Sequence, residues 1–314
     1  MRWAASIVVY GSPSDEVVRA CRALLLQTLP PEIVIVLVGN DPNGELASEI
    51  EGRVADHRVV VTSVSGNPGF SRGHNRALAR LFDSGARLVV VHNPDLVLEP
   101  NAVEALSAAS AASGAGLLGP VLQLVDGDGS SGCLDTAGIV WTWDGRHFDV
   151  GQGGPIPPAG APRRVAGVSG ACLAVTHAAW QRVTAASGEF FDEDFIAYRE
   201  DAELAFRAAL LGVSSVVVPD ARGLHARALR GTLRGKDPWV DRLGVRNRFL
   251  IAFKYGRRRP GRFGGPWMRD AVVIAGVLLR ERSSLPGLRE AWALRARMRA
   301  KGRRVLAASR AGMP

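Results

Sequence analysis

Lysine, cysteine, long apolar runs and, toward its end, acidic residues are all scarce in this 314-residue chain. Of its 39 basic residues only Lys236, Lys254 and Lys301 are lysines. Arginine this abundant reflects codon bias as much as phosphate affinity. The three cysteines, Cys21, Cys133 and Cys172, are odd in number and fit no metal or redox spacing. Free thiols in a reducing compartment are expected. The longest uncharged apolar run of the C-terminal region, residues 271–279, has nine residues. A membrane span needs about 20, so none is expected. Met1 leads straight into a strand-like run with no secretory signal, and a cytoplasmic location is expected. Residues 242–314 carry 19 basic side chains and only 3 acidic ones. Residues 1–241 carry 20 basic and 27 acidic. The net charge of +9 therefore belongs wholly to the last quarter, which argues for a separate role there.

What is present is an ordinary core. The apolar fraction is 47%, enough for one large α/β domain with a smaller appendage. Apolar runs at residues 4–10, 33–38, 58–62, 88–92 and 117–125 read as buried strands. Between them, residues 13–28, 44–53, 72–82 and 100–113 read as helices. Such alternation implies right-handed crossovers and a mostly parallel sheet. Residues 126–164, rich in Gly, Pro and Asp, read as an excursion with a hairpin near 139–143. A strand at 165–176, helices at 177–186 and 201–211, and a last strand at 214–218 follow. Beyond Pro219 the texture changes. Residues 239–255, 267–280 and 285–299 read as basic amphipathic helices. The expected division is a catalytic domain over 1–238, with halves of about 1–125 and 126–238, and a basic helical region over 239–314.

Parallel sheets bind ligands at the carboxyl ends of their strands. Asn40-Asp41 and Asn93-Pro94-Asp95 fall at such ends. Asn-Pro-Asp after a strand is also simply a good turn. Its functional reading is Asp95 as an oxygen ligand of a divalent cation, since Mg²⁺ or Mn²⁺ takes only one or two protein carboxylates beside substrate phosphates. His225, expected in a polar loop after the last strand, would be an imidazole ligand favouring Mn²⁺; a lone histidine is otherwise structural. Glu200-Asp201 opens a helix. Its carboxylates either complement the helix dipole or provide Asp201 as the general base for an acceptor hydroxyl. Leu204, Ala205, Ala208 and Leu211 share the face of Asp201, which turns it inward. The segment Asn67-Pro68-Gly69-Phe70-Ser71-Arg72-Gly73-His74-Asn75 is a glycine-bearing loop running into a helix, where backbone amides meet a nucleotide or its phosphates. It is also an ordinary loop, with His74 free to face solvent.

In this order the motifs resemble the inverting glycosyltransferases of family 2 with the GT-A fold, especially a rhamnosyltransferase-like branch. The resemblance runs over residues 6–255. It includes the opening Ser6-Ile7-Val8-Val9-Tyr10, the Asn67–Asn75 loop, and Asn93-Pro94-Asp95 in place of Asp-x-Asp. It also includes Gly170-Ala171-Cys172-Leu173, Phe191-Asp192-Glu193-Asp194-Phe195, Tyr198-Arg199-Glu200-Asp201, His225 and Arg246-Asn247-Arg248. The resemblance implies a Rossmann-like α/β sheet and direct displacement at the anomeric carbon with inversion. It implies that Asp201 is the catalytic base and that Asp95 and His225 hold Mn²⁺ or Mg²⁺. It places Tyr10, Asn40, Asp41, Asn67, Gly69, Phe70, Gly73, Asn75 and Asn93 around a dTDP- or UDP-sugar. It sets Gly170, Asp192, Glu193, Tyr198 and Glu200 on the acceptor side. The donor it implies is dTDP-rhamnose and the acceptor a glycan or lipid-linked glycan. The alternatives are a uridine-linked hexose, N-acetylhexosamine or unusual deoxysugar donor with a small acceptor, or a silent nucleotide-sugar binder. One departure stands out. Relatives with Val-Asp-Asn at the end of the second strand carry an aspartate that contacts the base; here that position is Gly39.

The basic tail reads as helices packing on the domain and, more sharply, as a surface for anionic membrane, since Trp267, Val272, Val273, Leu278, Trp292 and Leu294 accompany the arginines. Charge alone permits nucleic acid, but no recognition motif accompanies it and none is expected as partner.

Overall fold

The computed structural model describes residues 1–125, 132–226 and 238–311. The first residues of the expected excursion, 126–131, lie outside that description. Each strong apolar run forms a strand: β1 (Trp3–Val9), β2 (Val34–Gly39), β3 (Val59–Val64) and β4 (Leu88–His92). Helices α1 (Ser14–Leu25), α2 (Glu45–Val54) and α3 (Gly69–Asp83) connect them. These four strands pair in parallel in the order β3-β2-β1-β4. Being covered on both faces, β1, β2 and β4 are almost wholly buried, which is why they read as unbroken apolar runs.

The chain continues through β5 (Leu96–Leu98), α4 (Ala102–Ser113) and β6 (Leu117–Leu124). The expected excursion contains β7 (Leu134–Thr136), a hairpin of β8 (Ile139–Trp141) and β9 (His147–Asp149), and β10 (Arg163–Val165). The long strand expected at 165–176 is two short ones, because Gly167 and Gly170 interrupt it; the second is β11 (Cys172–Thr176). It runs antiparallel between β4 and β6. Helices α5 (His177–Ser187) and α6 (Glu200–Leu210) precede β12 (Ser215–His225). That strand runs past the expected end at Val218: after a bulge at Val218/Arg222 it resumes pairing with β6 as far as His225. Pro219 and Asp220 mark the bulge, not the end of the strand. The whole is a mixed, mostly parallel sheet flanked by helices.

Among the described residues, the α-helices that follow are α7 (Pro238–Tyr255), α8 (Gly265–Leu279) and α9 (Leu285–Arg310). Helix α9 extends eleven residues beyond its expected end, since Met298, Gly302 and Val305 keep a buried stripe at helical spacing through the arginine-rich stretch. It packs on α7 almost backbone to backbone: a Cβ at Gly302 would lie 1.7 Å from the Lys254 carbonyl oxygen. Phe195, Phe249, Leu250, Tyr255, Met298 and Val305 form a core there, joined by Phe206 and Leu210 of α6. Much of the tail's charge is spent inward. Lys254 lies 2.5 Å from Asp192 and 2.7 Å from Glu203, while Lys301 reaches Glu189, Asp192 and Asp194. Glu203 and Arg207, both fully buried, pair one helical turn apart.

Helix α8 is different. Trp267, Met268, Val272, Leu278 and Leu279 are each at least half exposed, and Phe263 just before it is 92% exposed. Among the described residues no helix is long and apolar enough to cross a membrane.

Candidate active site

The carboxyl end of β4 is the organising point. The Asn93 N–H donates to the Ala171 carbonyl at 2.9 Å, so the Gly170-Ala171 turn lies beside the Asn-Pro-Asp segment. The next residue back, Gly170, donates its N–H to Asp201 Oδ2 at 3.0 Å. Asp201 Oδ1 accepts from the Ala202 N–H at 2.7 Å. A half-buried carboxylate is thus held by two backbone amides at the start of α6, two hydrogen bonds away from Asn93. Little space is left at Gly170: a Cβ there would stand 3.4 Å from Asp201 Cβ and 3.2 Å from the Phe70 ring.

Asp95 and His225 meet at the same edge. Leu96 pairs with His225 across β5 and β12, and the Ala226 N–H donates to the Asp95 carbonyl. His225 Nε2 stands 3.3 Å from Asp95 Oδ1, and Nδ1 lies 2.7 Å from Asp135 Oδ2. His225 is therefore a strand-end residue, not the polar-loop residue expected from sequence. Burial works against its charge, but the hydrogen bonds to Asp135 and Asp95 prevail and push the imidazole up to about 9. Asp135, fully buried on β7, is absent from the sequence reading. A three-residue strand in a Gly/Pro/Asp-rich stretch carries no periodicity to announce it.

Among the described residues no group of three or more His, Cys, Asp or Glu side chains is arranged to hold a metal by itself. The Asp95–His225 pair nevertheless fits two adjacent corners of a cation's coordination shell, provided the imidazole first gives up the proton that Asp135 and Asp95 favour on it. Ligands about 2.1 Å from a shared ion at right angles stand about 3 Å apart, close to the 3.3 Å between these atoms. Asp135 behind the imidazole supplies the carboxylate–histidine orientation common at metal sites. His92, fully buried at the end of β4, has both ring nitrogens unpartnered. Burial pulls it down to about 4, which keeps it neutral.

The remaining expected residues divide sharply. Tyr10, half exposed at the end of β1, and Asn93 border the same edge. Asn40 adopts φ +58° and donates its N–H to the Gly66 carbonyl at 2.7 Å. Asp41 is turned inward, where it accepts from the N–H groups of Leu46 and Ala47 and from the Ser63 hydroxyl. Its carboxylate caps α2 and is not available to take the role of an aspartate at Gly39. Gly39 itself has no room for a side chain, since a Cβ would lie 2.8 Å from Pro68 Cδ. Asn67 Oδ1 accepts from the Gly69 N–H, and Gly69 abuts the Ile196 backbone. Gly73 packs against Val8, Phe70 against His74 and Phe191. Asn75 clamps Phe191 through its N–H and carbonyl. His74 is buried against Ser6, not solvent-facing.

On the other side, Asp192 is fully buried between Lys254 and Lys301. Burial would raise its carboxyl, but these two ammonium groups hold it well below the usual range. Expected to face an acceptor, it serves instead to fasten the C-terminal helices. Glu193 bonds Arg72 and Asn75 of α3. Glu200 is buried with Oε2 unpartnered, and burial followed by the nearby Asp201 pushes it up to about 8. Burial and Asp201 thus disfavour its charged form, so it is not a solvated helix-dipole charge. Tyr198 is 44% exposed.

Residues 196–199 arrive at α6 in unusual conformations. Ile196, Tyr198 and Arg199 have φ of +66°, +67° and +68°, a region that L side chains occupy at a cost. Helix α7 holds them there. Asn247 Nδ2 lies within 2.7–2.9 Å of the Phe195, Ala197 and Tyr198 carbonyls, and Arg246 donates to Asn247 Oδ1 and to the Asp194 carbonyl.

No curated protein matches the chain. The structure of GalNAc-T7 with UDP, GalNAc and Mn²⁺ superposes with a TM-score of 0.62 at 14% identity, covering 82% of this chain and 48% of that one. This chain thus spans about half of that protein. The mannosyltransferase PcManGT from Pyrobaculum calidifontis, in complex with GDP-Man and Mn²⁺, superposes with a TM-score of 0.53 at 14% identity, covering 99% and 86%. At such identities the likeness is one of fold. The profile described as "Glycosyltransferase like family 2" matches residues 4–242, and the chain belongs to that family.

Proposed function

We propose that the protein is a metal-dependent inverting glycosyltransferase that moves a sugar from a nucleoside diphosphate to an acceptor hydroxyl. The observation that carries this reading is that Asp201, held by the Gly170 amide, is linked through the Gly170-Ala171 turn to Asn93, two residues before Asp95 of the Asp95–His225 pair. Asp201 takes the proton from the acceptor hydroxyl as its oxygen attacks the anomeric carbon. The bond to the diphosphate breaks on the opposite face, so configuration inverts. Asp95 and His225 would hold Mn²⁺ or Mg²⁺, the imidazole favouring Mn²⁺; when bound, the cation offsets charge on the departing diphosphate. Two proteins of this fold were solved with Mn²⁺ and a nucleotide or nucleotide-sugar, which supports the reading. Tyr10, Asn40, Asn67 and Asn93 border the donor side.

The donor proposed is dTDP-rhamnose, on the resemblance of the motifs. Gly39, closed over by Pro68, means that no side chain at that position discriminates the base. Calorimetric titration of dTDP-rhamnose, UDP-glucose and UDP-N-acetylglucosamine, each with and without Mn²⁺, tests this directly. Metal-dependent binding of the thymidine donor alone is expected. Tight binding of a uridine donor transfers the reading to a hexosyl or N-acetylhexosaminyl transferase. In the same titration Asp95→Asn is expected to abolish the metal dependence. Asp135→Asn, acting only through His225, is expected to weaken Mn²⁺ affinity by about 10–100-fold. Unchanged Mn²⁺ affinity in both variants would overturn the metal assignment.

The acceptor proposed is a glycan or lipid-linked glycan at an anionic membrane face, met by α8. Its exposed Trp267, Val272 and Leu278 are accompanied by Arg257, Arg262, Arg269 and Arg280, the combination that binds headgroups and inserts shallowly. The intact protein is expected to sediment with anionic vesicles at low salt and to be released by high salt. Protein that stays in the supernatant at low salt removes the membrane from this proposal.

A further inference from the structure

A small pocket lies where the β8–β9 hairpin, the start of α6, α7 and the loop entering α8 converge. Trp141, Arg199, Arg248, Arg259 and Pro266 line it. Three guanidinium groups thus face one space. Arg248 and Arg259 share a single counter-ion, Asp270. Arg199 donates through Nε to the Gly244 carbonyl and lies 3.4 Å from His147 Nδ1, so neither of these partners brings negative charge. Burial, with repulsion from Arg248, brings Arg199 down to about 10, and burial followed by Arg199 brings His147 down to about 3. The imidazole is neutral and adds no anion. Arg259 is 9% exposed, and its buried Nη2 has no hydrogen-bond partner. A buried guanidinium donor left unmatched costs free energy, and a cluster with more cations than anions attracts an anion.

We propose that this pocket binds a phosphoryl anion. A guanidinium fork matches two oxygens of a phosphate at once, which an ammonium does not. With Asp270 beside Arg248 and Arg259 and Asp201 acting on Arg199, one of the three positive charges is left for an anion to balance. The apolar wall of Trp141 and Pro266 restricts water and strengthens the charge contacts. The pocket's position deepens the acceptor reading. Arg199 stands two residues before Asp201, and Pro266 opens α8 beside its exposed apolar face. A phosphate seated here would carry its substituents toward the proposed base on one side and toward α8 on the other. That placement rests on the transferase reading; the pocket's affinity for phosphate does not.

The test uses full-length protein in EDTA, titrated with inorganic pyrophosphate and, separately, with farnesyl diphosphate. Wild-type protein is expected to bind pyrophosphate, Arg259→Gln to weaken it at least tenfold, and Arg259→Lys to fall between. UDP binding in Mn²⁺ is expected to be equal in all three proteins, and UDP is expected not to displace pyrophosphate. Farnesyl diphosphate binding more tightly than pyrophosphate, with the gain lost in Trp267→Ser, identifies the anion as one carried by a lipid. Equal binding identifies a free or headgroup phosphate, and both results support the pocket. Absence of pyrophosphate binding overturns it. So does binding that UDP with Mn²⁺ displaces and that Arg259→Gln leaves intact, because the anion then occupies the donor site. Should circular dichroism show Arg259→Gln unfolded, Arg259→Lys and the UDP competition decide alone. Loss of UDP binding with pyrophosphate binding intact sinks the transferase reading and leaves the pocket standing.

Discussion

Replacing Asp201 by asparagine is expected to cut sugar transfer by about 10²–10⁴-fold, the usual contribution of a positioned base, while the donor still binds. Asparagine has nearly the same shape, and its oxygen can keep one of the two amide contacts, from Gly170 or from Ala202. The loss of the other costs about 1 kcal/mol, so the fold persists. The check is transfer rate against donor affinity, measured on the same preparation. Full transfer activity in Asp201→Asn would remove the base from this position. Weakened donor binding with an unchanged maximal rate would make Asp201 a binding group.

The second large effect is expected at Asn247, which touches no proposed substrate. Its amide nitrogen serves three carbonyls of the segment before α6, and its oxygen accepts from Arg246. Only two hydrogens are available for three acceptors, so one contact is shared. Alanine would strand these groups inside the protein at about 1–3 kcal/mol each, reduced by whatever water enters. Three non-glycine residues at positive φ store further strain that Asn247 holds in check. Asn247→Ala is therefore expected to lower stability by about 2–4 kcal/mol, a melting shift of several degrees. At a temperature where the variant is folded, the maximal rate is expected to fall while donor affinity stays. This separates a positioning residue from one that merely supports the fold: an unchanged rate per folded molecule would leave Asn247 a structural role only.

The strands of the nucleotide half were legible because burial on both faces leaves no polar period to confuse them: β1, β2 and β4 follow the apolar runs within a residue or two. The interrupted region was not. The turn-forming Pro219-Asp220 pair mimics a strand end, and only pairing with β6 shows that β12 continues to His225. The same limit hid Asp135. Its significance lies in a contact 90 residues away, which local pattern cannot report. Charge misled in the opposite sense. The basic tail reads more sharply as a membrane surface than as helices packing on the domain, yet Lys254 and Lys301 neutralise buried carboxylates contributed by another part of the chain. Asp192 looked like an acceptor contact for the same reason, since nothing in an aromatic-acidic loop tells which way its acids turn. The recognised motifs marked a region of the fold, and the pairing shows which of their members it brings close together.

The placement of β11 has a bearing on how the enzyme can open. The strand belongs to the later half of the catalytic chain, yet it is stitched between β4 and β6 of the earlier half. The groups proposed for donor and acceptor are consequently mounted on one continuous sheet. No line runs between the halves along which they could swing apart as two jaws, as hinge-closing enzymes do. The Gly170-Ala171 turn that holds Asp201 is therefore tied to the end of β4 through Asn93, so the spacing between the Asn93–Asp95 segment and the start of α6 is built into the sheet.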